Sequence, residues 1–225
     1  MALSEHSLVK IPEEIDPVGA ALISCPIGVS LKAVRETAMV SQEDTVVVTG
    51  AGGGLGAHAV QAAIALGATV FAVSSSPGKN DFILELGATE VLAAEVPGDD
   101  GLDFSEIVIA MTGNKGADAV IDTVGSALFP STLRSLAQFG RLVLVGEIQG
   151  RSVTVNPAEI IFRDAMVFGT SGVARTTLEL ASQMVADGKI RPVIHTQLPL
   201  EQAGEAFQMV SDRSPMGRVV LIPND

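Results

Sequence analysis

The chain has 225 residues and a net charge of −12, and 47% of its residues are hydrophobic while 18% are charged. This composition is typical of a folded α/β protein, excludes disorder over most of the length, and disfavours nucleic acid or an anionic membrane surface as a partner. The N-terminus lacks a signal-peptide pattern, the apolar runs are shorter than the ~20 residues that span a bilayer, and a single cysteine excludes an internal disulfide, so we expect a cytoplasmic protein.

The N-terminal segment predicts a flexible lead followed by two helices. The first ten residues are mixed and polar, and the next thirty have helical spacing that Pro26 and Gly28 interrupt. We therefore expect one helix to end near Ser24 and another to begin near Val29, with Cys25 at their junction.

The stretch from residue 45 to residue 79 combines two apolar runs with a glycine-rich turn. The run at 46–48 is followed by five glycines within seven residues, an alanine-rich segment and a second apolar run. This is the arrangement of a strand, a phosphate-binding turn, a helix and a second parallel strand. Glycine lets the backbone approach a pyrophosphate, and the unpaired amides at the helix start bind anions. We expect a dinucleotide to be bound by the turn residues Ala51, Gly52, Gly53, Gly54, Leu55 and Gly56.

The register that we favour for this turn is Ala51-x-Gly53-x-x-Gly56, with alanine at the place of the first glycine. Shifted registers that begin at Gly50 or Gly52 stay open. The alternative interpretation is a glycine-rich structural turn that binds nothing.

Beyond residue 79, strand patterns and helix patterns continue to alternate without a linker. The predicted strands are Glu90–Ala93, 117–123, 141–146, Met166–Gly169 and Arg218–Ile222, and the predicted helices are 81–86, Phe104–Met111, 128–138, 176–187 and 200–210. This alternation predicts a Rossmann fold, an α/β doubly wound parallel sheet of six strands with ligands at the carboxyl ends of the strands. We divide the chain into lead and connecting helices (1–40), a dinucleotide-binding core (41–170), and C-terminal helices with a closing strand (171–225).

The end of the second strand distinguishes the two nicotinamide dinucleotides. An acidic side chain there pairs with the ribose 2′-hydroxyl of NAD and would repel a 2′-phosphate. This chain instead has Ser74, Ser75, Ser76 and Lys79, which offer three hydroxyls and one cation. A Coulomb energy of ~4 kcal/mol at 4 Å falls to ~1 kcal/mol in an exposed pocket, which still favours NADP by about tenfold. The alternative is a serine-rich loop that caps the next helix.

Seven segments in order are ALISCPIGVSLKAV, VVVTGAGGGLG, AVSSSPGK, ELGATEVL, GADAVIDTVG, GRLVLVGE and GRVVLIP. Together they resemble the cofactor-binding part of the medium-chain dehydrogenase/reductase superfamily over almost the whole chain. The resemblance implies hydride transfer with a nicotinamide dinucleotide. It also implies that the superfamily's N-terminal GroES-like catalytic domain, which would precede Ser4, is lacking here.

Within that superfamily, Cys25 resembles the third ligand of the catalytic zinc in zinc-dependent alcohol dehydrogenases. The segment SSSPGK is similar to the NADP-binding segment of the cinnamyl alcohol dehydrogenase branch. A working zinc site needs at least three protein ligands, and His6, His58 and His195 are scattered in sequence and look like surface or packing residues. We therefore expect Cys25 to bind zinc only in a full-length enzyme, and this chain alone to have no catalytic residue and no dehydrogenase activity.

The resemblance also implies further cofactor contacts. Gly146 and the run from Met166 to Phe168 resemble the strand ends that receive the nicotinamide amide. Val124 is also expected to contact the cofactor. Arg218 resembles the arginine that reaches the pyrophosphate, with a solvated strand-end charge as the alternative. Val29 stands where zinc-dependent relatives commonly have threonine, and Asp122 is expected to do no more than end a strand. Residues 150–169 could pair across a homodimer.

The function that we expect is the NADP(H)-binding domain of an alcohol dehydrogenase or aldehyde reductase, acting on a small alcohol, aldehyde or ketone. One alternative is the domain of a zinc-free NADPH quinone or enoyl reductase. The other is a catalytically silent module for nucleotide binding or dimerisation. The substrate itself does not follow from the sequence.

Overall fold

A computed structural model describes residues 4–5, 8–94 and 103–223 of the chain, so His6 lies outside the described residues. Its main sheet has six strands, and every neighbouring pair in it is parallel. The strands are β1 (Thr45–Thr49), β2 (Thr69–Ser74), β3 (Glu90–Ala93), β4 (Ala117–Asp122), β5 (Leu136–Leu144) and β6 (Met166–Gly169). Their order across the sheet is β3-β2-β1-β4-β5-β6. The predicted doubly wound, six-stranded Rossmann sheet is therefore confirmed.

The central strand β1 shows why this sheet is buried on both faces. Val46 and Val48 pack into the hydrophobic cluster on one side, and Val47 packs into the cluster on the other. All three side chains are fully buried. A continuous β-branched run is the pattern expected for a parallel strand covered by helices on both sides.

Nine helices flank the strands in the part of the chain that the structure describes. They are α1 (Pro17–Ala20), α2 (Val29–Leu31), α3 (Gly56–Ala65), α4 (Asn80–Glu85), α5 (Phe104–Met111), α6 (Phe129–Arg134), α7 (Pro157–Ile161), α8 (Arg175–Ala186) and α9 (Ala203–Ser211). Helix α3 follows the glycine turn and completely buries four of its alanines, Ala57, Ala59, Ala62 and Ala63. Small side chains let this helix lie close to the sheet, which fixes its N-terminus beside the end of β1.

The expected break at Pro26 does not end the N-terminal helix. Two π-helical turns, Ile23–Gly28 and Lys32–Thr37, flank α2 and keep the segment helical. Proline has no N–H and clashes with the carbonyl four residues earlier, and the backbone adapts with a wider spacing in which Ile27 N donates to Leu22 O at 3.1 Å. Cys25 therefore lies inside a helical turn and not at a junction between two helices.

The predicted helix 128–138 is too long. Helix α6 ends at Arg134 and β5 begins at Leu136. Leu136 pairs with Ala117, but the next pairing on β4 joins Ala119 to Arg141, so the chain between them bulges out of the ladder. Phe139 has a φ of 61°, which an α-helix of L-residues does not accommodate.

The C-terminal strands form a sheet of their own. The predicted strand Arg218–Ile222 (β8) is present, but it pairs in parallel with β7 (Ile194–Pro199), which we did not predict. His195 therefore lies on strand β7. A parallel bridge joins Gly217 to Gly53, and Gly217 N donates to Gly52 O at 3.1 Å. This connection places the start of β8 against the glycine turn.

Candidate dinucleotide site

A cavity of about 420 Å³ opens at the carboxyl ends of β1, β2 and β4. The strand order reverses between β1 and β4, and doubly wound sheets bind their ligands at such a reversal. The predicted binding residues that line the cavity are Gly52, Gly53, Gly54, Leu55, Ser74, Ser75, Ser76, Lys79, Val124 and Arg218. The fold thus brings together residues that are more than 160 positions apart in the sequence.

The glycine turn brings the backbone into close contact with itself. Gly50 has a φ of 61°, where other residues are strained. A Cβ at Gly56 would collide with the carbonyl oxygen of Gly50, so only glycine fits at the start of α3. Ala51 is buried, and its amide donates to Val73 O at 3.2 Å. Ala51 and Gly56 therefore shape the turn without lining the cavity.

The amides at the start of α3 are free to bind an anion. In the described part of the chain, Gly54, Leu55 and Gly56 donate no backbone hydrogen bond to another residue. Helix α3 has ten residues, and the unpaired amides and the dipole at such an N-terminus favour negative charge. The turn can therefore hold a phosphate group with main-chain donors alone.

Three cationic side chains line the cavity, namely Lys79, Arg213 and Arg218, and no carboxylate does so among the described residues. In a chain with a net charge of −12, this local reversal favours an anionic ligand. Arg218 Nε is buried without a hydrogen-bond partner in the described structure, and a Cβ at Gly54 would collide with it. The guanidinium group thus lies against the glycine turn with an unused donor.

Arg213 is a lining residue that the sequence analysis missed. It precedes β8 in an exposed loop, has a φ of 56°, and forms no ion pair with a described residue. No local motif marks it. Arg213 lies at the cavity because Gly217 pairs with the glycine turn, which places the loop before β8 beside that turn.

The serine-rich end of β2 forms the opposite side of the cavity. Ser74 is buried and its Oγ accepts from Ser76 N at 3.2 Å, whereas Ser75 is exposed. Lys79 Nζ donates to Arg213 O at 2.7 Å and to Pro215 O at 2.8 Å, and burial lowers the pKa of its ammonium group. Two of the three Lys79 donors are therefore used internally, and one remains for a ligand.

Asp122 does more than end β4. Its Oδ1 accepts from Thr49 Oγ1 at 2.6 Å and from the amides of Val124 and Gly125 at 2.9 and 3.1 Å. Thr123 Oγ1 in turn donates to Thr49 O at 2.8 Å. Burial raises the pKa of Asp122, and its Oδ2 has no partner among the described residues. These bonds join the ends of β1 and β4 beneath the cavity floor.

Three residues expected near the nicotinamide do not line the larger cavity. Gly146 lines a second, smaller cavity of about 180 Å³ next to Glu147 and Arg151. Phe168 and Met166 are on the edge strand β6, and Met166 opposes Arg141 at the amino end of that strand. Neither side chain lines the larger cavity, so their contact with a nicotinamide stays a prediction.

A family model for zinc-binding dehydrogenases matches residues 54–187, which is more than half of the chain. The chain belongs to this family. Its six-stranded domain is the cofactor-binding domain of the medium-chain dehydrogenase/reductase superfamily, as the resemblance implied.

Several relatives are similar to this chain over nearly its whole length. Acryloyl-coenzyme A reductase of Sulfurisphaera tokodaii is 32% identical over 96% of the chain and 62% of its own length. Human quinone oxidoreductase is 26% identical over 97% of the chain and 67% of its own length. The structure of an NAD-dependent alcohol dehydrogenase is 30% identical with a TM-score of 0.89, over 97% of this chain and 62% of that one. The chain spans about three fifths to two thirds of these relatives.

The family name raises the question of zinc, and the described residues do not fit such a site. No group of three or more His, Cys, Asp or Glu side chains lies close enough to hold a metal in the structure as described. Cys25 is exposed on its π-helical turn. Both ring nitrogens of His58 are engaged inside the protein, and His195 Nδ1 accepts from Met216 N at 3.4 Å. The donors are thus dispersed over the fold.

Proposed function

We propose that the chain is the NADP(H)-binding domain of a reductase that transfers hydride to a quinone or to an alkene conjugated with a carbonyl group. The observation that supports it is the cavity at the glycine turn, which has three cationic side chains and no carboxylate among its described lining residues. The similarity to acryloyl-coenzyme A reductase and quinone oxidoreductase supports the substrate class. Because the chain spans 62% of the first of these relatives, hydride transfer is proposed for a protein of their full length.

The lining residues suggest how the cofactor is held. The amides of Gly54 and Leu55 with Arg218 would bind the pyrophosphate, and Lys79 and Arg213 would bind the 2′-phosphate with the hydroxyl groups of Ser75 and its neighbours. Bound NADPH would supply the hydride. The apolar lining residues Val124, Ala127, Leu128 and Ile148 would exclude water from the other half of the cofactor.

The preference for NADPH over NADH is the first test. We expect isothermal titration calorimetry on this chain to give an NADPH affinity about tenfold higher than the NADH affinity. Arg213→Gln should weaken NADPH and leave NADH unchanged, while Arg175→Gln, the same charge change on α8 outside both cavities, should alter neither. Equal affinities, or tighter NADH as the name of the alcohol dehydrogenase relative suggests, would contradict the proposal.

A second candidate is an NADP(H)-dependent alcohol dehydrogenase, which the similarity to the alcohol dehydrogenase structure favours. The exposed Cys25 would then serve as a zinc ligand in a protein of the relatives' full length. In that protein, loss of activity after Cys25→Ser and after chelation would favour the dehydrogenase. Activity that survives both treatments would favour the reductase.

We also propose that the chain forms a homodimer through the edge of its sheet. Strand β6 pairs only with β5 in the described structure, so one side of its backbone is available to another strand. Phe139, Ile161 and Phe162 are 65%, 65% and 79% exposed, and Phe139 N donates to Arg163 O at 2.7 Å, which places Phe139 beside the end of α7. An exposed apolar patch of this kind is typical of a protein interface.

The chain is a silent module if it binds NADPH and dimerises but a protein of the relatives' full length catalyses no hydride transfer.

A further inference from the structure

His58 lies on the first turn of α3 and is fully buried. Its Nδ1 lies 2.6 Å from Gly54 O, and its Nε2 lies 3.0 Å from Val193 N. A backbone amide can only donate and a carbonyl oxygen can only accept, so Nδ1 carries the proton and Nε2 is the acceptor. Only this neutral tautomer makes both hydrogen bonds.

The bond to Gly54 O determines where the neighbouring amide points. The carbonyl of Gly54 and the N–H of Leu55 belong to one planar trans peptide, so they point in opposite directions. Because the imidazole holds the carbonyl toward the interior, the Leu55 N–H is directed away from it. Leu55 lines the cavity, and its amide has no protein acceptor in the described part of the chain.

The bond to Val193 connects the same ring to Arg218. Val193 N donates to the imidazole, and Val193 O accepts from Arg218 N at 3.0 Å. The side chain of Arg218 then returns to the glycine turn, because its Nε lies where a Cβ on Gly54 would be. The four residues Gly54, His58, Val193 and Arg218 therefore form a closed circuit around the free amides.

We propose that His58 is a positioning residue for the pyrophosphate of the bound dinucleotide. It aims the Leu55 amide and fixes the backbone of Arg218, and it does so without touching the ligand. The inference rests on the proposed binding of NADP(H) and names the side chain that organises that site.

Gln61 provides a matched structural control. It lies one turn further along α3 and also forms two hydrogen bonds to the segment before β7. Gln61 Nε2 donates to Arg191 O at 3.1 Å, and Arg191 N donates to Gln61 Oε1 at 2.9 Å. These hydrogen bonds join α3 to that segment without contacting the glycine turn. Loss of packing alone should therefore affect Gln61 and His58 variants alike.

The experiment measures binding of two ligands to each variant by calorimetry. NADPH contains the pyrophosphate, whereas adenosine 2′-monophosphate carries only the 2′-phosphate end. We expect His58→Leu to weaken NADPH by about tenfold and to change adenosine 2′-monophosphate by less than about twofold. His58→Asn, whose amide can still donate to Gly54 O, should recover part of the NADPH affinity, and Gln61→Leu should change neither ligand.

Each result supports or overturns the inference. If wild-type chain binds NADPH and His58→Leu binds it equally well, or if Gln61→Leu causes the same loss, His58 is a packing residue and NADP(H) binding stands. If wild-type chain binds no NADPH, the proposed function and the inference both fail. Should the His58 variants not fold, nitrogen NMR of wild-type chain tests the same point. The proton must be on Nδ1 at neutral pH and the Leu55 amide must shift on adding inorganic pyrophosphate, and a proton on Nε2 or an unmoved amide would overturn the inference.

Discussion

The imidazole of His58 titrates far from its ordinary range, which makes it a source of pH-dependent stability. Burial, reinforced by the charge of Arg218 and opposed by the hydrogen bond to Gly54 O, lowers the pKa of His58 from 6.5 to about 4. Between these values the unfolded chain binds a proton that the folded chain does not. The free energy of unfolding therefore decreases as the pH falls from 6.5 towards 4.

We expect this one group to remove up to about 3 kcal/mol of stability across that interval, since each pKa unit corresponds to about 1.4 kcal/mol. Urea unfolding at closely spaced pH values would measure it. His58→Gln should flatten the pH profile between 4 and 6.5 while Gln61→Leu retains the slope. A wild-type profile that is already flat there would show that His58 is protonated in the folded state.

The contribution of Asp122 to stability can be measured with single substitutions. Asp122→Ala removes the acceptor of three hydrogen bonds, and we expect a loss of about 3 kcal/mol in the free energy of unfolding. Asp122→Asn keeps an oxygen at the same place and removes a buried charge whose pKa is raised by burial, so it should cost less than about 1 kcal/mol at neutral pH. Urea titrations of both variants give the comparison, and equal losses would mean that the charge itself stabilises the strand ends.

The conformation of the loop after β5 depends on the carboxylate of Glu147. Glu147 accepts from Ser126 N and from the amides of Gln149 and Gly150, each at 2.8 Å. These bonds, with that of the Ser126 hydroxyl group, lower the pKa of Glu147 to about 2 although the side chain is exposed to solvent. The loop carries Ile148 into the cavity lining.

We expect Glu147→Ala to free this loop, because four donors lose their acceptor at once. Hydrogen exchange at Gln149 and Gly150 should become at least about tenfold faster, with the exchange of α3 unchanged. In wild-type chain the carboxylate should lose its hold on the loop progressively as the pH falls from about 4.5, the ordinary pKa of the opened loop, towards about 2, the pKa in the closed loop. Unchanged exchange in the variant would show that Ile148 N, which donates to Val124 O at 3.0 Å, holds the loop by itself.

The elements that the sequence predicts well are those whose own residues determine them. The buried β-branched run of β1 and the glycine turn have local patterns, and the six-stranded sheet follows from their alternation with helices. The π-helical turn around Pro26, the early start of β5 and the strand β7 have no such pattern, because a wider helical spacing, a residue with positive φ and a partner strand 24 residues away create them. The site divides in the same way, since the glycines, Ser75 and Lys79 are visible in sequence while Arg213 and the circuit through His58 depend on tertiary pairing.

The exposed edge strand β6 is the reason why we expect the chain to form a dimer. Light scattering after gel filtration should show a dimer, and Phe162→Asp should convert it to a monomer because a charge cannot be buried there without a partner. Phe207 is 77% exposed on α9, which packs against β7 and β8 of the second sheet, so Phe207→Asp should leave the dimer intact. A wild-type chain that stays monomeric at high concentration would contradict the proposed interface.

In the described chain, no helix is both long enough and apolar enough to cross a membrane. The chain has a net charge of −12, but the cavity at the glycine turn is lined by three cationic side chains. A nucleotide therefore approaches against the net field and is bound by local donors, so moderate salt should affect its binding through Arg213 and Arg218 more than through the remaining charges.

The pairing of Gly217 with the glycine turn has a consequence for biosynthesis. The six-stranded sheet is complete at Gly169, whereas Gly217 and Arg218 follow almost fifty residues later in the chain. A nascent chain can therefore form the sheet before the last residues of the site have been made. Stabilisation by the dinucleotide begins only after Arg218 has been added, so the sheet must first persist without help from the ligand.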